Sequence, residues 1–176
     1  LVTGSAAGAP SSYFLNNGAG DFSGTRTALG SGTSGDCRAV FVTDLNGDGV
    51  LDILLGHNGQ ANEVYFGTGA WSVGLPASLD GSETDATFAI GAGDMNMDGV
   101  MDVVTGNRGE TNKVYLGAVD YGGTWTATLP GGTFVIREAN GNTFPASTGK
   151  TRGLVVVDSD GDGWLDCIVG NEGEQN

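Results

Sequence analysis

Two cysteines, one histidine, four prolines and seven basic residues are all that a chain of 176 supplies of these types. Two cysteines cannot build a disulfide framework, and Cys37 and Cys167 lack metal-type spacing with His57. One bridge or two free thiols remain as alternatives. A lone histidine with no cysteine near it in sequence excludes a Ser-His-Asp or Cys-His set. Seven basic against 21 acidic residues leaves a formal charge of −14, which argues against nucleic acid or an anionic membrane as partner. No apolar run reaches the roughly 18 residues needed to cross a bilayer as a helix. Leu1 follows no basic leader, so the sequence reads as mature or as cut from something larger.

What the chain does hold is glycine, 33 residues of it, together with Val, Ile, Leu, Thr and aromatics. That mixture favours many short strands and tight turns over helices. Three nine-residue stretches organise them: Asp44 to Asp52, Asp94 to Asp102 and Asp158 to Asp166. Each carries oxygen-bearing side chains at positions 1, 3, 5 and 9 and glycine at position 6. These are Asp44, Asn46, Asp48 and Asp52; Asp94, Asn96, Asp98 and Asp102; and Asp158, Asp160, Asp162 and Asp166. Alternation aims the side chains at one point, and the glycine permits the bend that keeps them converging. With the position 7 carbonyls of Val50, Val100 and Trp164, the set suits a hard cation taking six to eight oxygens, calcium first.

An EF-hand is excluded, because its position 12 glutamate is replaced by Leu55, Thr105 or Val169 and no helix pattern flanks the loops. The three loops hold three, three and four of the 21 carboxylates, so metal-free loops should repel themselves. The third has the most ligand charge and is expected to hold calcium longest.

Each loop sits between β-rich runs. Residues 37–86 form one repeat, with Arg38 to Thr43, then the loop 44–52, then Ile53 to Gly56, Glu63 to Phe66 and a fourth strand near Trp71 to Val73. Residues 87–150 repeat it around loop 94–102, ending in Trp125 to Ala127, with an insertion at 129–150 read as a hairpin at 133–137. Residues 1–36 match the last three strands of such a unit, with Phe22 in register with Trp71 and Trp125, taken as blade core or, less favoured, as sugar-stacking faces. Residues 151–176 match a unit's first strand, loop 158–166 and second strand. His57 is read as a surface or turn residue, and Trp164 as exposed and able to touch a partner.

This pattern, an acidic loop between apolar strands followed by Gly, Asn and a Val-Tyr strand, resembles the FG-GAP/VCBS repeats. The resemblance implies all-β, β-propeller-type repeats of four-stranded antiparallel blades, as in integrin α-subunits, several lectins and many secreted microbial proteins. It implies Ca²⁺ at three sites, on the fifteen residues named above. About three blades' worth of chain falls short of the four to eight blades that close a ring. The reading is therefore a non-catalytic, secreted calcium-binding repeat protein. Its complementary ends would self-associate head to tail into a ring or filament. The alternatives are a lectin-like or adhesive module with a protein or carbohydrate ligand, or the propeller portion of a larger secreted protein. Paired carboxylates also serve glycoside hydrolysis, but their packing into loops already accounts for them.

Overall fold

A computed structural model describes residues 1–5, 9–29, 35–69, 72–74, 76–79, 84–119, 125–128 and 149–173; of Val119 and 125–128, only the backbone. Trp71, the Trp125 side chain and the hairpin expected at 133–137 lie outside the described residues.

Among those residues the chain is all-β. β1 (Val2–Thr3), β2 (Ser12–Tyr13) and β3 (Thr27–Ala28) form one antiparallel sheet. β4 (Cys37–Thr43), β5 (Asp52–His57), β6 (Glu63–Tyr65) and β7 (Ala77–Ser78) form the second. β8 (Thr87–Gly93), β9 (Asp102–Asn107), β10 (Lys113–Val119) and β11 (Trp125–Thr128) form the third. β12 (Thr151–Val157) and β13 (Asp166–Asn171) make a two-stranded ribbon. Every strand pairs with its neighbour in sequence, as the Gly- and Asn-rich turns predict. Among the described residues the four sheets do not close a ring.

Two strands differ from the sequence expectation. Val73 does not start the fourth strand of its unit; it makes an isolated bridge to Gly67 around a turn in which Ser72 C=O accepts the Thr68 N–H. The next strand among the described residues is Ala77–Ser78. In the first unit the corresponding strand is Thr27–Ala28, and Phe22 is 40% exposed rather than core. It sits in a turn-rich segment where Asn16, Asn17 and Asp21 side chains accept backbone N–H groups.

The sheets stack in chain order. β5 and β9 are buried along their whole length because they are covered on both faces, and they read accordingly as near-continuous apolar runs. Leu45, Leu54, Val64, Leu79, Ile90, Val103 and Tyr115 fill the layer between the second and third sheets. Leu29, Cys37, Ile53, Leu55 and Tyr65 fill the layer toward the first, with Val2 and Tyr13 against them. Glycine makes the close approach possible. A Cβ on Gly56 would stand 2.8 Å from Thr87 Cγ2, and one on Gly106 2.6 Å from Thr151 Cγ2.

Candidate metal centre

Each acidic loop links a first strand to a second, β4 to β5, β8 to β9 and β12 to β13, so all three lie at the same end of their sheets. The loops share one hydrogen-bond scheme. At position 1, Asp44 accepts the N–H of Gly47 and of Gly49, both at 2.8 Å. Asp94 accepts those of Asp98 at 3.0 Å and Gly99 at 2.8 Å, and Asp158 those of Gly161 at 2.7 Å and Gly163 at 3.0 Å. At position 3, Asn46, Asn96 and Asp160 each accept the N–H two residues on. At position 5, Asp48, Asp98 and Asp162 accept the N–H of Val50, Val100 and Trp164 at 2.7, 2.8 and 2.8 Å. The loop backbone thus wraps its own carboxylates and holds them on one side.

Position 4 carries a signal that the sequence reading passed over. Gly47 and Gly161 have φ of 75° and 80° there, and Met97 in the second loop has φ of 59°. Met97 is the positive-φ non-glycine among the described residues. Comparison of the three loops position by position would have shown it.

Position 9 separates from the others. Asp52 and Asp102 are fully buried. Asp52 accepts the N–H of Leu45 and of Gly67, both at 2.8 Å. Asp102 accepts those of Met95 at 2.8 Å and Gly117 at 2.9 Å. Each therefore ties its loop to the third strand of the same sheet, at Gly67 just past β6 and at Gly117 within β10. Burial pushes both carboxyls above the ordinary range, opposed by these N–H groups. Among the described residues no third strand covers Asp166, and it accepts only the Ser159 N–H and hydroxyl, the hydroxyl holding it below the ordinary range.

In the third loop Asp158, Asp160 and Asp166 bring one carboxylate oxygen each to within 4.8 Å of one another, an arrangement able to hold a metal ion. Asp162 is not part of that trio. In the first two loops Asn46 and Asn96 replace the middle carboxylate and bond Asp48 and Asp98, both at 2.9 Å. Trp164, beside the trio, is 52% exposed, as expected.

His57 is not a surface residue. It is 1% exposed and faces Cys37 in the β4–β5 register. The repeat explains why. The matching pairs are Thr87 with Asn107 and Thr151 with Asn171, whose hydroxyls donate to the amide oxygens, both at 2.9 Å. Asn62 donates onward to Thr87 at 3.0 Å, and Thr151 Oγ1 lies 3.2 Å from Asn112 Oδ1, so each sheet meets the next at these side chains. His57 and Cys37 occupy the same interior positions, so sheet register overrides the polarity of the side chain. His57 Nε2 lies 3.4 Å from Glu63, while Nδ1 is buried with no hydrogen-bond partner among the described residues. Cys37 and Cys167 are both free thiols, raised by burial.

No helix among the described residues is long and apolar enough to cross a membrane. A search of curated proteins returns no match. The profile of the FG-GAP-like repeat matches residues 1–55 and again 44–105. Each match ends on the strand that follows an acidic loop, so the profile and the sheets share one period. Those matches span more than half of the chain, which belongs to the FG-GAP-like repeat family.

Proposed function

We propose that this chain is a non-catalytic, extracellular repeat module of β-propeller type, tied by calcium at its three acidic loops. The observation that carries the reading is the convergence of Asp158, Asp160 and Asp166 in a donor set made only of oxygen. Oxygen donors at this density favour a hard cation over zinc or copper. Asp44, Asn46, Asp48 and Asp52, Asp94, Asn96, Asp98 and Asp102, and Asp158, Asp160, Asp162 and Asp166 would supply side-chain oxygens. Val50, Val100 and Trp164 would add carbonyls. Bound calcium would neutralise clustered carboxylates, and because the unfolded chain presents no such cluster, stability would rise with calcium concentration.

The test is thermal unfolding and calorimetry in calcium against EGTA. A melting temperature that climbs with calcium, with three binding events, is expected; identical melting in both conditions overturns the reading. Aspartate-to-asparagine substitution at Asp160 should weaken one of the three events and leave two.

The assembly role takes a specific form. Copies would associate by stacking on the outer face of the β12–β13 ribbon, where Val155 and Ile168 are exposed.

A second reading, a ligand-binding or adhesive module, draws on a groove of about 530 Å³ between the first and second sheets. Leu1, Phe14, Phe22, Val42 and Leu51 line it, and Phe22 offers a ring to an apolar or sugar surface. A glycan array probed with wild type and Phe22→Ala tests it; binding indifferent to the substitution removes the groove as the site.

A further inference from the structure

The first strand of each loop-bearing unit breaks register at its second residue: between Cys37 and Ala39, between Thr87 and Ala89, and between Thr151 and Gly153. The extra residues are Arg38, Phe88 and Arg152. A bulge re-aims the side chain it carries, and three in the same place send these three side chains to one spot. The guanidinium carbons of Arg38 and Arg152 lie 5.4 and 4.8 Å from the centroid of the Phe88 ring. Arg108, just past β9 and bridged to Lys150, brings a third to 5.7 Å. This spot is at the opposite end of the first strands from the acidic loops, on the order of 20 Å away for a seven-residue strand.

Three of the seven basic residues thus gather on one ring in a chain of charge −14. Like charges this close repel, so the compensating groups matter. Asp36 pairs with Arg38 at 2.5 Å. A single oxygen of Glu172 accepts from Nε and Nη2 of Arg152 at 2.9 and 2.7 Å. The carboxylate of Glu110 is turned to the Ala86 N–H at 3.0 Å. Arg108 and Lys150 have no carboxylate contact among the described residues. Glu172 is held below the ordinary carboxylate range first by its bond to Arg152, with Lys150 and Arg108 adding attraction. Among the described residues, positive charge is left over on Arg108 and Lys150.

We propose that Arg108, with Arg38 and Arg152 around Phe88, binds a sulfate or phosphate group. A guanidinium presents a planar fork of donors that matches two oxygens of such a group, and the flat face of Phe88 keeps the forks stacked and partly dry. The negative field of the rest of the molecule opposes extended polyanions and leaves room for a compact, singly placed oxyanion. The group can arrive as a free ion or as an ester on a sugar, and the two are distinguished by the probe.

Inorganic sulfate is the first probe, because phosphate precipitates calcium; glucose 6-sulfate is the second. Both are titrated into the calcium-loaded protein at constant ionic strength held with chloride, following the arginine Nε–H signals by NMR. Saturable shifts at Arg38, Arg108 and Arg152, with Arg26 unmoved, are expected. Arg108→Gln should weaken binding by about fivefold or more, and Arg108→Lys by less, since charge is kept and the fork lost. Tighter binding of glucose 6-sulfate than of sulfate identifies an ester ligand, and the reverse a free ion. Linear, unsaturated shifts, or equal affinity in Arg108→Gln, would mean a self-neutralised array and overturn the site. The wild-type titration stands even where a variant folds poorly. Neither result touches the calcium loops.

Discussion

The carboxylate of Asp52 accepts the Gly67 N–H at 2.8 Å, joining the exit of an acidic loop to the end of a strand fifteen residues later. Its other oxygen takes the Leu45 N–H at the loop entrance. Position 9 is thus a strut as well as a metal candidate, and the two roles separate when metal is removed. Asn offers one acceptor oxygen and turns an NH₂ toward the other N–H. Asp52→Asn should therefore cost about 1–3 kcal/mol in urea unfolding carried out in EGTA. Asp166→Asn, whose carboxylate bonds only Ser159 among the described residues, should cost a small fraction of that. Equal losses at both positions would remove the strut.

Met97 adopts a left-handed conformation where Gly47 and Gly161 stand in the other loops. A side chain pays roughly 1 kcal/mol or more there, while glycine adds unfolded-state freedom that returns part of it. Because Met97 is 48% exposed, little packing is lost on removal. Met97→Gly should raise stability by about 0.5 kcal/mol, seen as a higher urea midpoint at unchanged slope. A lower midpoint would show that the methionine makes a contact worth more than its strain.

Much of this was legible because repeats expose themselves three times. The acidic loops, the strands on either side of them and the antiparallel order follow from spacing alone. Elements without a strict signature were misplaced. Ala77–Ser78 and Thr27–Ala28 are two-residue outer strands set by turn geometry, and the aromatic register of Phe22 and Trp71 pointed too early in the chain. His57 looked like a turn residue because a charged-capable ring ends an apolar run. Only its alignment with Asn107 and Asn171 shows it to be interior, where tertiary packing decides. The Arg38, Phe88 and Arg152 cluster was invisible as well, since a bulge is a property of pairing rather than of one strand.

That alignment makes a prediction of its own. Thr87 and Asn107 are coupled by a hydrogen bond at 2.9 Å, whereas Cys37 and His57 hold the same places and His57 Nδ1 has no partner among the described residues. Restoring the pair should be cooperative. In a double-mutant cycle, Cys37→Thr and His57→Asn together should be more stable than the sum of the single changes by about 1 kcal/mol. The His57→Asn variant alone also strips Glu63 of the partner that chiefly keeps its carboxyl low. Additive behaviour would mean the first unit has settled on a different polar core, centred on Glu63 and Tyr65, which bond at 2.9 Å.

The last unit tests how sheets stack. A Cβ on Gly106 would stand 2.6 Å from Thr151 Cγ2, but one on Gly170, the equivalent residue of β13, meets nothing closer than the Gly153 carbonyl at 3.9 Å. Beside Gly170 the ribbon exposes Val155 at 56% and Ile168 at 54%. Gly106→Ala should cost about 1–3 kcal/mol, because a packed interface cannot take the extra methyl. Gly170→Ala should be nearly silent in dilute protein. If copies stack on this face, its cost should appear only as concentration rises, with a parallel fall in particle mass by light scattering. Silence of Gly170→Ala across a hundredfold range of concentration would count against stacking there, since the proposed contact places a neighbouring strand where the new methyl would sit.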